Sequence, residues 1–163
     1  MTEDDVTRIA RVLGRACRKR GVDVATAESC TGGGCAAAIT RISGSAKWFE
    51  RGFVTYTNVA KKEMLGVSQR TLRLHGAVSE EVAREMAAGA LKHSHADVSV
   101  SVTGIAGPTG GSRKKPVGLV IFGWGYRGGV IQTRVFRFRG DRVQVRIQSV
   151  AVALQGLIDL LRR

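Results

Sequence analysis

Two hydrophobic periods alternate along this chain, and their alternation limits the folds that it can adopt. Near the start, apolar residues recur at the spacing of one helix face: Val6, Ile9, Ala10, Leu13 and Cys17. Further along, every second residue of a run is a valine, as in a strand: Val98, Val100 and Val102. Segments of the two kinds follow each other to the end of the chain. This order predicts an α/β protein in which helices flank a mixed sheet.

Capping and turn residues indicate where the elements begin and end. Thr2 with Asp5 is a capping pair for the first helix, and Gly21 is its expected stop. The other predicted helices cover residues 35–42 (alanine-rich), 58–65 (capped by Asn58), 79–93 and 143–161. The predicted strands cover residues 22–27, 51–57, 97–102, 117–124 and 130–138, and a hairpin joins the last two. No linker interrupts this pattern, so residues 1–163 are expected to form a single domain.

Length and composition exclude several classes of protein. With 163 residues, 44% of them hydrophobic, the chain can bury a sizeable core. No apolar run is long enough to span a bilayer, and the acidic start, Met1 to Asp5, lacks the hydrophobic core of a signal peptide. Cys17, Cys30 and Cys35 form no C-x-x-C pair, which argues against a disulfide framework or a zinc site. These features predict a cytoplasmic protein with no membrane partner.

The net charge of the chain is +13, which favours polyanionic partners. Arginines crowd the first helix and the last predicted strand with the helix after it, among them Arg8, Arg11, Arg15, Arg134, Arg137 and Arg139. Such a surface would bind nucleic acid in a salt-sensitive way. However, aromatic residues make up only 6% of the chain and do not alternate with the basic ones as stacking platforms would. We therefore favour a solvated basic face and keep nucleic acid as an alternative partner.

A serine lies in a glycine-rich turn between a predicted strand and the alanine-rich helix. The turn reads Thr-Ala-Glu-Ser-Cys-Thr-Gly-Gly-Gly over residues 26–34, and Ser29 is its fourth residue. There the hydroxyl would lie near the exposed N–H groups of a helix start, which stabilise developing negative charge. Glycine also lets a ligand approach the backbone closely. The alternative is an ordinary helix cap followed by a glycine turn.

A second glycine-rich loop follows one of the later strands. It covers residues 103–112 and ends near Lys114 and Lys115. Successive N–H groups in such a loop form an anion-binding nest, and either lysine would add a charge for a phosphate. The loop matches neither the P-loop pattern nor the dinucleotide-binding G-x-G-x-x-G pattern. The alternative is a mobile surface loop without a ligand.

A lysine pair stands at the predicted start of the third helix. Tyr56 would close a strand, and Lys61 would lie on the first turn of the helix, where the helix dipole and partial burial favour a neutral amine. A neutral lysine can take the proton from a serine hydroxyl. Because Lys61 and Lys62 are adjacent, at most one of them can face inward. The alternative is a solvated lysine pair.

Six groups of residues, taken in order, resemble one known family. They are residues 26–33, 51–56, 58 with 60–61, 76–80, 103–108 and 115–118. Together they resemble the CinA C-terminal domain family, the nicotinamide-nucleotide amidohydrolases, over roughly residues 11–161. Some members carry an additional N-terminal domain, and this chain resembles the free-standing form.

The resemblance implies a fold and a reaction. The fold would be a three-layer α/β/α sandwich with a mixed, mostly parallel sheet. The reaction would be hydrolysis of the amide of nicotinamide mononucleotide to nicotinate mononucleotide and ammonia, in pyridine nucleotide salvage, without a metal or organic cofactor. The family's serine nucleophile corresponds to Ser29, its lysine to Lys61 and its tyrosine to Tyr56. We also expect a homo-oligomer.

Amide hydrolysis itself requires a nucleophile, a base, an oxyanion site and an acid for the leaving amine. Ser29 would be the nucleophile, Lys61 both base and acid, and Tyr56 a group that relays or holds the proton. Cys30 is the rival nucleophile, because a thiolate is intrinsically stronger. Backbone amides from Cys30 to Gly33 would bind the oxyanion, and the phosphate would lie in the second loop or against an arginine. The expected substrate-binding residues are Cys30, Thr31, Gly32, Gly33, Thr103, Gly104, Ala106, Gly107 and Arg142.

Two other classes of function stay open at this point. One is a basic nucleic-acid-binding module, linked to competence or DNA damage, without amidase activity. The other is a nucleotide-binding protein that has lost catalysis, although the presence of Ser29, Tyr56 and Lys61 argues against it.

Overall fold

The computed structural model describes residues 1–163, and helices and strands alternate through most of it. The helices are α1 (Glu3–Arg20), α2 (Gly34–Thr40), α3 (Asn58–Leu65), α4 (Gln69–His75), α5 (Glu80–Lys92) and α6 (Arg142–Leu161), with a short 3-10 helix at Ser45–Lys47. The strands are β1 (Val24–Glu28), β2 (Phe49–Val54), β3 (Val98–Gly104), β4 (Leu119–Tyr126) and β5 (Gln132–Arg137). None of the helices combines the length and the apolar character needed to cross a membrane.

The five strands form one mixed sheet in the order β2-β1-β3-β4-β5. β1 pairs in parallel with β2 and β3, and β4 is antiparallel to both β3 and β5. Four strands therefore run in one direction and β4 runs in the other. At the carboxyl end of β1, Glu28 lies between Val54 and Val102. The predicted mixed sheet is confirmed.

Helices cover both faces of the sheet, as in the three-layer sandwich that the family resemblance implies. One layer contains α1, α2 and α6, which bury a core cluster of 25 residues against the sheet. The other contains α3, α4 and α5, whose core is smaller. β1 divides its side chains between the two layers, since Val24 faces the first cluster and Ala25 and Ala27 face the second.

Several predicted boundaries are confirmed and one cap is wrong. Thr2 and Asp5 form a reciprocal capping box at the start of α1, and Gly21 ends that helix in the left-handed conformation. α3 covers the predicted residues, but its cap is Thr57 and not Asn58. Thr57 has an extended backbone, and its hydroxyl accepts the N–H of Ala60, whereas Asn58 is already helical.

Two strand ends also differ from the prediction, and both differences bear on the candidate site. β1 continues to Glu28, which places that carboxylate at the sheet edge beside Ser29. β2 ends at Val54, so Tyr56 lies in the connection to α3 and does not close a strand. The pattern also failed to predict α4, because that short helix buries only Leu72 and has almost no apolar periodicity.

Candidate active site

The two glycine-rich segments meet at the carboxyl ends of β1 and β3. Ser29 directly follows β1, and its N–H donates to the carbonyl of Val102 at 2.9 Å. This bond extends the hydrogen-bond ladder between β1 and β3 by one residue. The second loop, residues 103–112, starts with the last two residues of β3, which ends at Gly104. Ligands in α/β sheets characteristically bind at this edge of parallel strands. The start of α3 and the start of α6 close the site from the two helical layers.

Lys61 reaches the serine from α3. Its Nζ lies 3.0 Å from Ser29 Oγ and donates to the carbonyl oxygen of Thr55 at 2.8 Å. Only 2% of Lys61 is exposed, and this burial lowers the pKa of its ammonium below the usual 10.5. Lys62 points away and bonds the side chain of Gln69 at 2.8 Å. The structure therefore brings Lys61, and not Lys62, to the serine.

Cys30 is a poor competitor for the role of nucleophile. Burial raises the pKa of its thiol to about 12, so the reactive thiolate is scarce at neutral pH. No histidine lies in the pocket, since His75, His93 and His95 are all exposed on other parts of the surface. These observations favour Ser29 over Cys30.

The start of α2 is already occupied by a carboxylate, contrary to the expectation of exposed N–H groups there. Glu28 accepts the N–H of Cys35 at 2.7 Å and that of Ala36 at 3.1 Å. It also accepts the hydroxyl of Thr31 at 2.7 Å. The α2 terminus is therefore not free to stabilise an oxyanion. The N–H groups of Cys30 and Thr31, by contrast, donate to no other residue.

A pocket of about 260 Å³ opens in front of the serine and the lysine. It is lined by Ser29, Cys30, Tyr56, Asn58, Lys61, Ala77, Val78, Thr103, Gly104, Ile105, Ala106, Gly107, Thr109, Gly110 and Arg142. Most of the expected site residues are among them. Thr31, Gly32 and Gly33 are not, because the turn after Ser29 leads away toward α6 and α2.

Some lining residues were not among the site residues expected from the sequence. Asn58, Ala77 and Val78 belong to groups that resemble the family, and that resemblance was the one signal for them. Thr103, which was expected to bind substrate, donates its hydroxyl to the carbonyl of Ala77 at 2.8 Å and so ties the second loop to the segment before α5.

Arg142 is held across the pocket by two groups. Its Nη1 donates to the carbonyl of Gly107 at 2.7 Å, and its Nη2 donates to the hydroxyl of Tyr56 at 2.9 Å. It forms no ion pair with Asp141 or Glu28, the alternative partners for an arginine at this position. Tyr56 has no hydrogen bond to Ser29 or Lys61, so the expected proton relay lacks a direct path in this structure.

The second loop presents unused backbone donors beside this arginine. The N–H groups of Ala106, Gly107, Thr109 and Gly110 donate no hydrogen bond within the chain. All four residues line the pocket. Lys115 is directed elsewhere, since its Nζ donates to the carbonyl of His75 at 2.6 Å. The loop and Arg142 together can bind an anion, as in a backbone nest.

Comparison with known proteins agrees with this arrangement. The family profile described as CinA C-terminal domain matches residues 6–161. A protein of Escherichia coli K12 named nicotinamide-nucleotide amidohydrolase PncC is 54% identical over 157 residues, which are 96% of this chain and 95% of that protein. The protein of the same name from Pseudomonas putida is 49% identical over 96% of this chain and 98% of its own length.

Solved structures agree as well. The crystal structure of competence/damage inducible protein CihA from Agrobacterium tumefaciens superposes with a TM-score of 0.94 at 47% identity, covering 98% of this chain and 96% of that one. A CinA superfamily protein from Klebsiella pneumoniae superposes with a TM-score of 0.93 at 39% identity, covering 96% and 98% of the two chains.

Proposed function

The chain belongs to the CinA C-terminal domain family, and we propose that it hydrolyses the amide of nicotinamide mononucleotide to nicotinate mononucleotide and ammonia. Relatives about half identical over nearly their full length are named nicotinamide-nucleotide amidohydrolase. The observation that carries the proposal is the buried Lys61 Nζ at 3.0 Å from Ser29 Oγ, in a pocket that is also lined by a loop with unpaired backbone N–H groups.

In the proposed first step, neutral Lys61 accepts the hydroxyl proton of Ser29 while Oγ forms a bond to the amide carbon. The lowered pKa of Lys61 enlarges the neutral fraction that can do this. The carbonyl oxygen becomes an oxyanion, for which the free N–H groups of Cys30 and Thr31 are the nearest unused donors in the turn. Lys61 then returns the proton to the leaving nitrogen, the C–N bond breaks, and ammonia departs from a seryl ester.

In the second step, a water molecule replaces ammonia. Lys61 takes a proton from the water, the resulting hydroxide oxygen bonds to the ester carbon, and the C–O bond to Ser29 breaks. The proton on Lys61 returns to Ser29 Oγ, and the carboxylic acid product loses its own proton to solvent and leaves as a carboxylate. Water is the only co-substrate that this sequence of steps consumes.

Arg142 and the second loop support recognition of the nucleotide phosphate. Arg142 is anchored by Gly107 and Tyr56, and the loop N–H groups beside it have no partner within the chain. The hydrogen bond from Arg142 supports a role for Tyr56 in positioning the arginine, as an alternative to the relaying or holding of the proton expected from sequence.

The test is ammonia release from nicotinamide mononucleotide, with nicotinamide and the dinucleotide measured beside it. We expect the mononucleotide to be the best substrate. The Ser29→Ala variant should lose at least about 10³-fold in turnover, as expected for removal of a nucleophile, while Cys30→Ala keeps most of it. The opposite order of the two variants would move the nucleophile to Cys30. No ammonia from any of the three compounds would refute the proposed function.

A further inference from the structure

The turn that carries Ser29 is short, and Thr31 within it is hydrogen-bonded through both its side chain and its backbone carbonyl. The N–H of Gly32 donates to the carbonyl of Ser29 at 2.9 Å, which closes the turn. Thr31, inside the turn, is only 1% exposed. Its hydroxyl donates to Glu28 at 2.7 Å, and its carbonyl accepts Nη2 of Arg146 at 3.2 Å. Thr31 is thus hydrogen-bonded to Glu28 of β1 and to Arg146 of α6.

Glu28 is well suited to hold a neighbouring group in place. It is 1% exposed, and none of the chain's ion pairs involves it. Its two oxygens instead accept three hydrogen bonds, from the Thr31 hydroxyl and from the N–H groups of Cys35 and Ala36. A buried carboxylate with its acceptor sites directed at fixed donors has little freedom to rotate, because any rotation leaves polar groups unpaired in the interior.

Arg146 holds Thr31 from α6, in the same helical layer as α2. It lies one turn after Arg142 on α6, and its Nε is buried without a partner, so its bond to the Thr31 carbonyl is the one side-chain hydrogen bond of this guanidinium within the chain. Gly34 also donates its N–H to the same carbonyl at 2.9 Å. The two arginines of α6 therefore lie on different sides of the turn. Arg142 lines the pocket, whereas Arg146 lies on the side of the turn away from the pocket.

We propose that Glu28 and Arg146 are positioning residues that hold Thr31 and thereby direct Ser29 Oγ at Lys61 Nζ. This inference rests on the proposed function, because Ser29 is taken as the nucleophile. The side chains of Glu28, Thr31 and Arg146 all lie outside the lining of the pocket. They therefore act by fixing the turn that carries Ser29 and the oxyanion N–H donors, and these side chains do not contact substrate. A displacement of about 1 Å at a reacting group can reduce a rate by about 10²-fold. Loss of the hold should therefore lower kcat and leave KM nearly unchanged.

The primary test compares Thr31→Val, which removes the hydroxyl at nearly constant shape, with Thr31→Ser, which retains it. Thr40→Val is the matched control, because the Thr40 hydroxyl bonds only carbonyls of its own helix, at Ala36 and Ala37. The readouts are kcat and KM for ammonia release and the rate at which phenylmethanesulfonyl fluoride modifies Ser29. Each variant is checked by circular dichroism and thermal melting, and rates are expressed per folded protein.

We expect Thr31→Val to lower both kcat and the modification rate by about 10-fold or more, with KM within about twofold, because a positioning hydrogen bond is lost while binding groups remain. Thr31→Ser should recover both rates to within about threefold of the parent, and Thr40→Val should match the parent. A Thr31→Val protein as fast as the parent, or a Thr31→Ser protein as slow as Thr31→Val, would overturn the inference.

Arg146→Met provides a second, independent variant, because it keeps the apolar stem of the arginine and removes the donor. It should also slow Ser29 modification with little change in KM, and an unchanged rate would overturn the role of Arg146. Modification by the sulfonyl fluoride does not depend on the natural substrate. A parent protein that is modified at Ser29 but releases no ammonia therefore refutes the proposed function alone, and a parent whose Ser29 resists modification overturns the positioning inference.

Discussion

Lys61 is a basic side chain in surroundings that disfavour its charge. It is almost completely buried, it forms no ion pair, and its nearest polar partners are the Ser29 hydroxyl and the Thr55 carbonyl. An isolated ammonium in such a site is costly, and the cost is reduced when the group loses its proton. The same burial that destabilises the fold thus prepares a base beside the nucleophile.

The role of Lys61 as the base can be tested by replacing it with a residue that cannot accept a proton. We expect Lys61→Met to reduce turnover by at least about 10³-fold, while Lys62→Met, the matched control on the exposed neighbour, stays within about twofold. The turnover of the parent should rise with pH along a limb whose midpoint lies below 10.5, the usual pKa of a lysine. Equal losses in the two variants would contradict the assignment of Lys61.

A comparison of the stability of the parent with that of Lys61→Met, made over a range of pH, tests the direction of the pKa shift of Lys61. Between the lowered pKa of Lys61 and 10.5, the unfolded chain binds more protons at this site than the folded one. The free energy of unfolding of the parent should therefore rise with pH in that window, relative to Lys61→Met. Denaturant unfolding at several pH values measures this difference. A difference that is constant across the window would show that the pKa is not lowered.

Arg142 offers a second prediction at the level of single residues. Arg142→Ala should raise KM for nicotinamide mononucleotide by about 10- to 100-fold, the equivalent of a lost charge-assisted hydrogen bond, with a smaller effect on kcat. Arg139→Ala is the control, because Arg139 is exposed and lies outside the pocket. Kinetics with the phosphate-free riboside show whether Arg142 binds the phosphate or another part of the nucleotide. If Arg142→Ala weakens the nucleotide and the riboside equally, the arginine does not bind the phosphate.

At the scale of elements, the site depends on how closely α3 packs on α5. α3 has only eight residues, so its orientation is set by packing more than by its own helical stability. Gly89 of α5 lies directly against the backbone of Leu65 at the end of α3. A side chain at Gly89 would push α3, and Lys61 with it, away from the sheet.

Gly89→Ala tests this close approach. Alanine in a helix gains about 1 kcal/mol over glycine, but the added Cβ would collide with the carbonyl oxygen of Leu65, and overpacking costs about 1–3 kcal/mol or more. We expect a net loss of stability and a lower kcat, measured by thermal melting and ammonia release. Gly129→Ala in the β4–β5 turn, where a Cβ meets only ordinary contacts, should melt like the parent. A Gly89→Ala protein that is more stable than the parent would contradict this packing.

At the scale of the whole molecule, charge is the unusual property. The net charge is +13, and the four ion pairs of the chain lie at the surface, one of them dependent on a histidine proton. Exposed ion pairs contribute little to stability, whereas like charges spread over one small domain repel each other. Assembly into a homo-oligomer stays a prediction from the sequence, and binding of nucleic acid stays the alternative that the sequence did not favour.

The melting temperature should therefore rise with ionic strength. Raising sodium chloride from about 0.01 M to 0.15 M shortens the Debye length from about 30 Å to about 8 Å, which screens the repulsion in the folded state. Potassium chloride at equal ionic strength should give the same rise, since screening does not depend on the identity of the cation. A melting temperature that falls with salt would show that attractive charge pairs dominate.

Local sequence determined much of this protein. The reciprocal cap of Thr2 with Asp5, the helix stop at Gly21 and the alternating valines of β3 act over a few residues, so their neighbours suffice to specify them. The same holds for the order of helices and strands, and hence for the α/β class. The glycine-rich turn, the helix start and the family resemblance singled out Ser29 and Lys61 as candidates, but none of these signals could place one residue against the other.

Tertiary structure decided which groups meet. Ser29 and Lys61 are 32 residues apart, and Tyr56 and Arg142 are 86 apart, so their hydrogen bonds depend on how the sheet and both helical layers pack. Packing also gave Glu28 to the start of α2 and turned Thr31 away from the pocket, both against expectation. Periodicity and capping describe interactions within one element, whereas a buried polar group takes whatever partner the assembled interior supplies, because leaving it unpaired costs more than any local preference.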